Sequence, residues 1–114
     1  MELLPSLSVP QELLTEKGTL APSSLFDTEY KEHWFEIGFG SGEHLSALMC
    51  RHLDTAWLGA EPYINGMAAF LKDIQDLETK NVRVHMDDAM MLANSLADKS
   101  LDGIYILNPD PWHK

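Results

Sequence analysis

The sequence predicts an α/β fold: a parallel sheet wound on both faces by helices. Three observations carry that expectation. From His33 onward, short apolar runs of strand length alternate with amphipathic stretches of helical period. A glycine-rich turn, Gly38-Phe39-Gly40-Ser41-Gly42, separates the first apolar run from the first amphipathic stretch. Each later apolar run stops at an acid, a proline or both.

The elements follow in order. Residues 1 to 32 read as an irregular arm, punctuated by Pro5, Pro10, Gly18 and Pro22, that packs on the domain edge or stays partly disordered. Trp34, Phe35 and Ile37 form a buried strand that enters the glycine turn. Leu45, Leu48 and Met49 recur at helical spacing. Ala56 to Ala60 form a second buried strand, halted by Glu61 and Pro62. Ile64, Met67, Ala68, Leu71 and Ile74 mark a second amphipathic helix. Val82, Val84 and Met86 alternate as a third strand, and Ala89, Leu92, Ala93 and Leu96 suggest a short third helix. Leu101 to Leu107 is the fourth strand, stopped by Asn108 and Pro109. Right-handed crossovers then put helices on both faces, and ligands of such sheets bind at the carboxyl ends of the strands.

Composition narrows the function. The chain has 114 residues, enough for one domain with one core. No apolar run approaches the ~20 residues needed to cross a membrane, so no membrane partner is expected. The start, Met1 to Pro10, lacks the basic and apolar regions of a signal peptide. Cys50 is the sole cysteine, which excludes an internal disulfide and fits a cytoplasmic location; it reads as a small core residue on a helix. No Cys/His cluster has zinc-site spacing, so no metal is expected. His33, His44, His52, His85 and His113 read as surface or satisfied residues, and the six methionines as core filler. With 8 basic and 18 acidic residues the net charge is −10, which argues against a nucleic-acid surface within these residues.

Four features fall at the predicted strand ends. The first is Glu36-Ile37 with the glycines Gly38, Gly40 and Gly42. Glycines there allow a tight turn and let a ligand approach the backbone. A dinucleotide fingerprint would need a third small residue where Glu43 or Leu45 stands, and Glu43 would repel a pyrophosphate. A sulfonium cation suits the acidic site better, which points to S-adenosylmethionine. The second is Glu61, an acceptor-only carboxylate that can take both ribose hydroxyls; otherwise it is an exposed acid at a strand end. The third is Asp87-Asp88-Ala89. An acid there either receives the adenine amino group or caps the next helix, and both roles can hold, one for each Asp.

The fourth is Asn108-Pro109-Asp110-Pro111-Trp112-His113-Lys114. Each proline holds the preceding residue extended, so the segment is stiff. Asp110 can orient a base through its N–H edge. Trp112 stacks on a base or anchors the loop. Lys114 meets a phosphate or is solvated.

At these residues the chain resembles the tRNA (guanine-N7)-methyltransferase family. The match runs from about Trp34 to Lys114 through Glu-Ile-Gly-Phe-Gly, Leu-Gly-Ala-Glu, Asn-Val-Arg-Val, Asp-Ala, Ser-Leu-Asp and Pro-Asp-Pro-Trp-His-Lys. The resemblance implies a Rossmann-like doubly wound sheet of the class I methyltransferase type, truncated here to about the first four strands. It implies an arm over 1–32 and an S-adenosylmethionine-binding half over 33–114. It implies cofactor contacts at Glu36, Glu61, Asp88 and Asp110, with Asp110 also the catalytic acid and Lys114 the first substrate-contacting lysine. Two departures are mild: Gly-Ala-Glu stands for the family's usual Gly-Ile-Glu, and Leu107-Asn108 for Phe-Phe.

Family members continue past this motif with a basic stretch. The resemblance therefore implies that tRNA is met mainly through a part beyond Lys114, which would reconcile the acidic charge with that substrate. A fourth strand without outer neighbours would leave an open edge, suited to a second copy or a partner strand. Two other readings remain at this point. One is a methyltransferase acting on an exocyclic amine, which Asn108-Pro109 before an aromatic loosely suggests. The other is a non-catalytic module that holds the cofactor or a partner.

Overall fold

The structure, a computed structural model, describes residues 3–106. Its centre is a parallel sheet of β1 (Glu32–Ile37), β2 (Thr55–Ala60), β3 (Val82–His85) and β4 (Gly103–Ile106), in the order β3-β2-β1-β4. Helices α2 (Glu43–Arg51), α3 (Ile64–Ile74) and α4 (Ala89–Ser95) form the crossovers. The step from β3 back past β1 to β4 reverses the strand order beside β1. In doubly wound sheets a crevice opens at such a switch point.

All six residues of β2 are buried, so that strand forms the sheet's middle. Period-two alternation divides β1 between two cores. Trp34 faces a layer with Trp57, Val82, Val84, Leu45, Met49, Met67 and Phe70, built from α2 and α3. Phe35 and Ile37 face the opposite layer, with Leu58, Ala60, Leu92 and Leu96, built from α4 and the residues before β1. Helices thus cover both faces, as the alternating pattern predicts.

The residues before β1 hold more structure than an irregular arm. Pro5 opens a four-residue helix, α1 (Leu4–Leu7), where a missing N–H does no harm. The chain then runs along β3: Ser8 bridges Val84, and Val9 donates to the Val84 carbonyl at 2.9 Å. Leu7, Val9, Leu20 and Phe26 are buried, one in the first core layer and three in the second. The β3 edge is therefore covered. The β4 edge carries Ile104 and Ile106 at 51% and 62% exposure.

Four expectations shift. The fourth strand pairs from Gly103, not Leu101, because Asp102 and His33 exchange hydrogen bonds just before the ladder begins. The third strand ends at His85, so Met86 leaves the ladder. Cys50 is exposed: Leu45, Leu48 and Met49 take the inner side of α2, and position 50 turns outward. Among the methionines, Met49 and Met67 fill the core, whereas Met90 is exposed.

Candidate functional site

β1 delivers Glu36 one residue before the strand ends, opposite Gly59 of β2 and Tyr105 of β4. It is 1% exposed. Such a carboxylate needs a partner, because an unpaired buried charge is costly. The partner is His44, on the first turn of α2, whose Nδ1 lies 3.3 Å from Glu36 Oε1. Burial pushes the Glu36 carboxyl above its ordinary range, and the hydrogen bond and charge of His44 offset part of that shift. The Tyr105 ring meets the His44 ring edge-on at 5.0 Å.

Between Glu36 and His44 the chain reverses. Gly38, Gly40 and Gly42 all have positive φ, at 68°, 63° and 80°. Left-handed backbone of this kind favours glycine. Gly38 and Phe39 donate to the Ala60 carbonyl, which sews the turn onto the end of β2. Outward from the turn there is room: a Cβ added at Gly38 or Gly40 would meet nothing within 4 Å. On its inner side the turn is close-packed. A Cβ at Gly66 of α3 would fall on the Gly40 carbonyl, so only glycine lets the helix approach.

Glu61 follows β2 directly and is 5% exposed. Its Oε1 accepts the Gly40 amide at 2.8 Å and its Oε2 accepts the Tyr63 amide at 3.1 Å. Each carboxylate oxygen can accept a second bond. Glu61 is thus held by the same turn that separates Glu36 from His44. The strand-tip acids of β1 and β2 converge on one glycine loop.

Asp88 lies at the carboxyl side of β3 but is exposed and caps α4, its Oδ1 accepting the Met90 amide at 3.0 Å. Asp87 Oδ1 accepts the Asp88 amide at 2.7 Å. Capping is therefore the role that the geometry of Asp88 displays. Asp110, Trp112 and Lys114, with Asn108, lie outside the described residues.

The sequence reading missed three contributors. His44 is a satisfied histidine, within the expectation of surface or satisfied residues, but the sequence carries no sign that its partner is the buried Glu36. Gly66 carries no signal in a helix, and its role emerges only from contact with the turn. His85, at the end of β3, is buried; burial holds its imidazole below the ordinary value, with Asp87 and Asp88 opposing. Among the described residues its Nε2 has no partner.

A parallel sheet with a switch point at β1, a glycine turn after that strand and acids at two strand tips defines the Rossmann-like class of cofactor-binding folds. Solved methyltransferases share this fold. An antibiotic-related methyltransferase superposes with a TM-score of 0.61 at 23% identity, over 82% of this chain and 51% of that one. A SAM-dependent methyltransferase from Thiobacillus denitrificans, solved with S-adenosyl-L-homocysteine, gives 0.57 at 20% identity, over 88% and 37%. A family model described as "Putative methyltransferase" matches residues 31–114, and the chain belongs to that methyltransferase family. The tRNA (guanine-N(7)-)-methyltransferase of Caulobacter vibrioides is 41% identical over 112 residues, which are 98% of this chain and 46% of that protein. The chain thus spans about half the length of the curated relatives it matches. Among the described residues no helix is long and apolar enough to cross a membrane, and no cluster of His, Cys, Asp or Glu could hold a metal ion.

Proposed function

We propose that this chain is the cofactor-binding half of an S-adenosylmethionine-dependent enzyme that methylates N7 of a guanine in tRNA, working in the cytoplasm. The observation that carries the reading is that Glu36 and Glu61 flank one glycine turn: Glu61 accepts the Gly40 amide, and Glu36 meets His44 on the helix that follows the turn. The donor set fits the cofactor: buried carboxylates favour a cation and hydroxyl donors, and disfavour a phosphate. The open space beyond Gly38 and Gly40 fits a ligand lying against the backbone. The tRNA specificity rests on the Caulobacter relative and the family motifs.

When bound, S-adenosylmethionine supplies a methyl carbon that a nitrogen lone pair takes while the C–S electron pair stays on sulfur. Guanine N7 has a lone pair and no proton, so the protein's residues need supply no general base. Their work is positioning and electrostatics. Glu61, already oriented by two backbone amides, would accept the ribose hydroxyls. Gly38 and Gly40 would line the near side, while Gly42, packed against Phe70, would support the turn from within. Glu36 would place negative charge beside the cationic part. Asp88 would meet the adenine edge, with its neighbour Ala89 against the ring. By the family motif, Asp110 would hold the guanine edge as the ring becomes cationic, Trp112 would stack or anchor the loop, and Lys114 would meet tRNA.

The exposed Ile104 and Ile106 at the β4 edge would receive a further strand, from additional chain, a second copy or a partner. tRNA itself would be bound mainly through sequence outside this acidic chain.

The test is nucleoside analysis of tRNA from cells lacking the gene. The reading expects loss of 7-methylguanosine, restored by the full-length gene and not by its Asp110→Ala variant. Loss of an exocyclic-amine methylation would favour that enzyme class. Unchanged tRNA together with no cofactor binding would leave a non-catalytic module.

A further inference from the structure

We propose that His44 is the resident counter-ion of Glu36 and is exchanged for the cationic end of the cofactor, so that binding expels a proton from the pair. The inference rests on the cofactor reading above and adds to it a positioning residue.

The geometry carries it. Glu36 is shut away at the tip of β1, while the His44 side chain is 40% exposed and reaches in from α2. Their contact, 3.3 Å, is longer than the ~2.7–2.9 Å of a tight charge-assisted bond. A loose pair of this kind can be parted at low cost. His44 has somewhere to go, because its side chain is part exposed and its ring meets Tyr105 edge-on, a contact that leaves the other side open to solvent.

Among the described residues, the groups that face the pair from α2, β4 and β2 add no competing cation. On α2 the neighbouring Glu43 is exposed and accepts the Ser41 hydroxyl. From β4 the facing group is Tyr105. From β2, Gly59 sits opposite Glu36, and Glu61 lies across the turn on the Gly40 amide. Among the described residues these charged neighbours are acidic, so without ligand the pair carries the compensating proton. Burial, which favours the protonated carboxyl, acts in the same direction.

A ligand cation beside Glu36 makes that proton redundant. It leaves to buffer: one positive charge enters and one proton departs, so the charge at Glu36 is conserved. Linkage then requires affinity to rise with pH, by up to about tenfold per unit for one displaced proton.

The experiment is calorimetric titration of the chain between pH 5.5 and 8 in buffers of different ionisation heat. Three probes are used: S-adenosylmethionine, S-adenosylhomocysteine and adenosine. The proposal expects release to be largest near pH 7.5, where an imidazole parted from its carboxylate no longer holds its proton, with one or both amino-acid-bearing probes, and none with adenosine. Release with both assigns the exchange to the ammonium group; release with S-adenosylmethionine alone assigns it to the sulfonium. His44→Gln, which keeps a hydrogen-bonding side chain, should lose the release near pH 7.5; release that persists should move to lower pH, where the buried Glu36 carboxyl alone holds the proton. Equal release from adenosine, or release unchanged in His44→Gln, overturns the proposal. Binding that is flat across this pH range overturns it and leaves the cofactor reading standing. No binding at any pH overturns both.

Discussion

Gly40 donates its amide to the Glu61 carboxylate at 2.8 Å, so the acid at the tip of β2 is aimed by the turn that follows β1. A side chain that must hold a ligand is fixed in advance by backbone from another element, which lowers the ordering needed on binding. Glu61→Gln keeps the shape but replaces one acceptor oxygen with a donor and removes the charge. The expected outcome is a loss of S-adenosylmethionine affinity of about 10- to 100-fold, from one or two charge-assisted bonds. Calorimetry measures it, and an unchanged melting curve shows that the fold persists.

Gly66→Ala separates packing from propensity. Alanine in a helix interior is ordinarily more stable than glycine by about 1 kcal/mol. Here the added Cβ would fall on the Gly40 carbonyl, so the helix or the turn must shift. The expected sign is reversed, a destabilisation of about 1–3 kcal/mol, with weaker cofactor binding alongside. Urea denaturation reads the first and calorimetry the second. Stabilisation would show that the turn yields without consequence.

Glu36 sets function against stability. Its folded carboxyl lies above the ordinary 4.5, so the folded chain holds that proton more tightly than the unfolded chain. The contribution is complete below about pH 4.5 and is lost as pH rises through the folded value. Glu36→Gln escapes that loss. The variant should be more stable than the parent by about 1 kcal/mol at pH 7.5, about equal near pH 4, and much weaker in binding the cofactor. Thermal melts at both pH values decide it. A variant less stable at pH 7.5 would mean that the His44 pairing outweighs the burial.

Asn81 tests the frame around the site. It is fully buried, and its Nδ2 reaches the carbonyls of Met49, His52 and Thr55, at 3.4, 3.2 and 2.9 Å. These belong to the end of α2, the connection after it and the start of β2. Asn81→Ala strands those carbonyls and should cost about 2 kcal/mol in denaturant unfolding. Direct contacts to the cofactor should be untouched, so affinity at a temperature where the variant is folded should stay within about threefold.

Local sequence was enough for the strands and their tips. β2 is a run of small and apolar residues closed by Glu61-Pro62, and no helix could bury all sides of so short a segment. The glycine turn was legible because three glycines at alternate positions serve little else. What escaped depends on residues distant in sequence. Glu36 and His44 are eight apart, and only the reversal from strand to helix brings them together. Ser8 pairs beside Val84 across most of the chain, and no periodicity within residues 1 to 32 announces it. Asp88 displays its capping bond, whereas a ligand role leaves no mark in local geometry.

Amide chemical-shift mapping of the chain titrated with S-adenosylhomocysteine tests the central claim most directly. The account predicts that the largest shifts cluster at 36–44, 61–63 and 87–89, around the turn and the strand tips. Shifts centred on another face of the sheet, or none at saturating ligand, would contradict it.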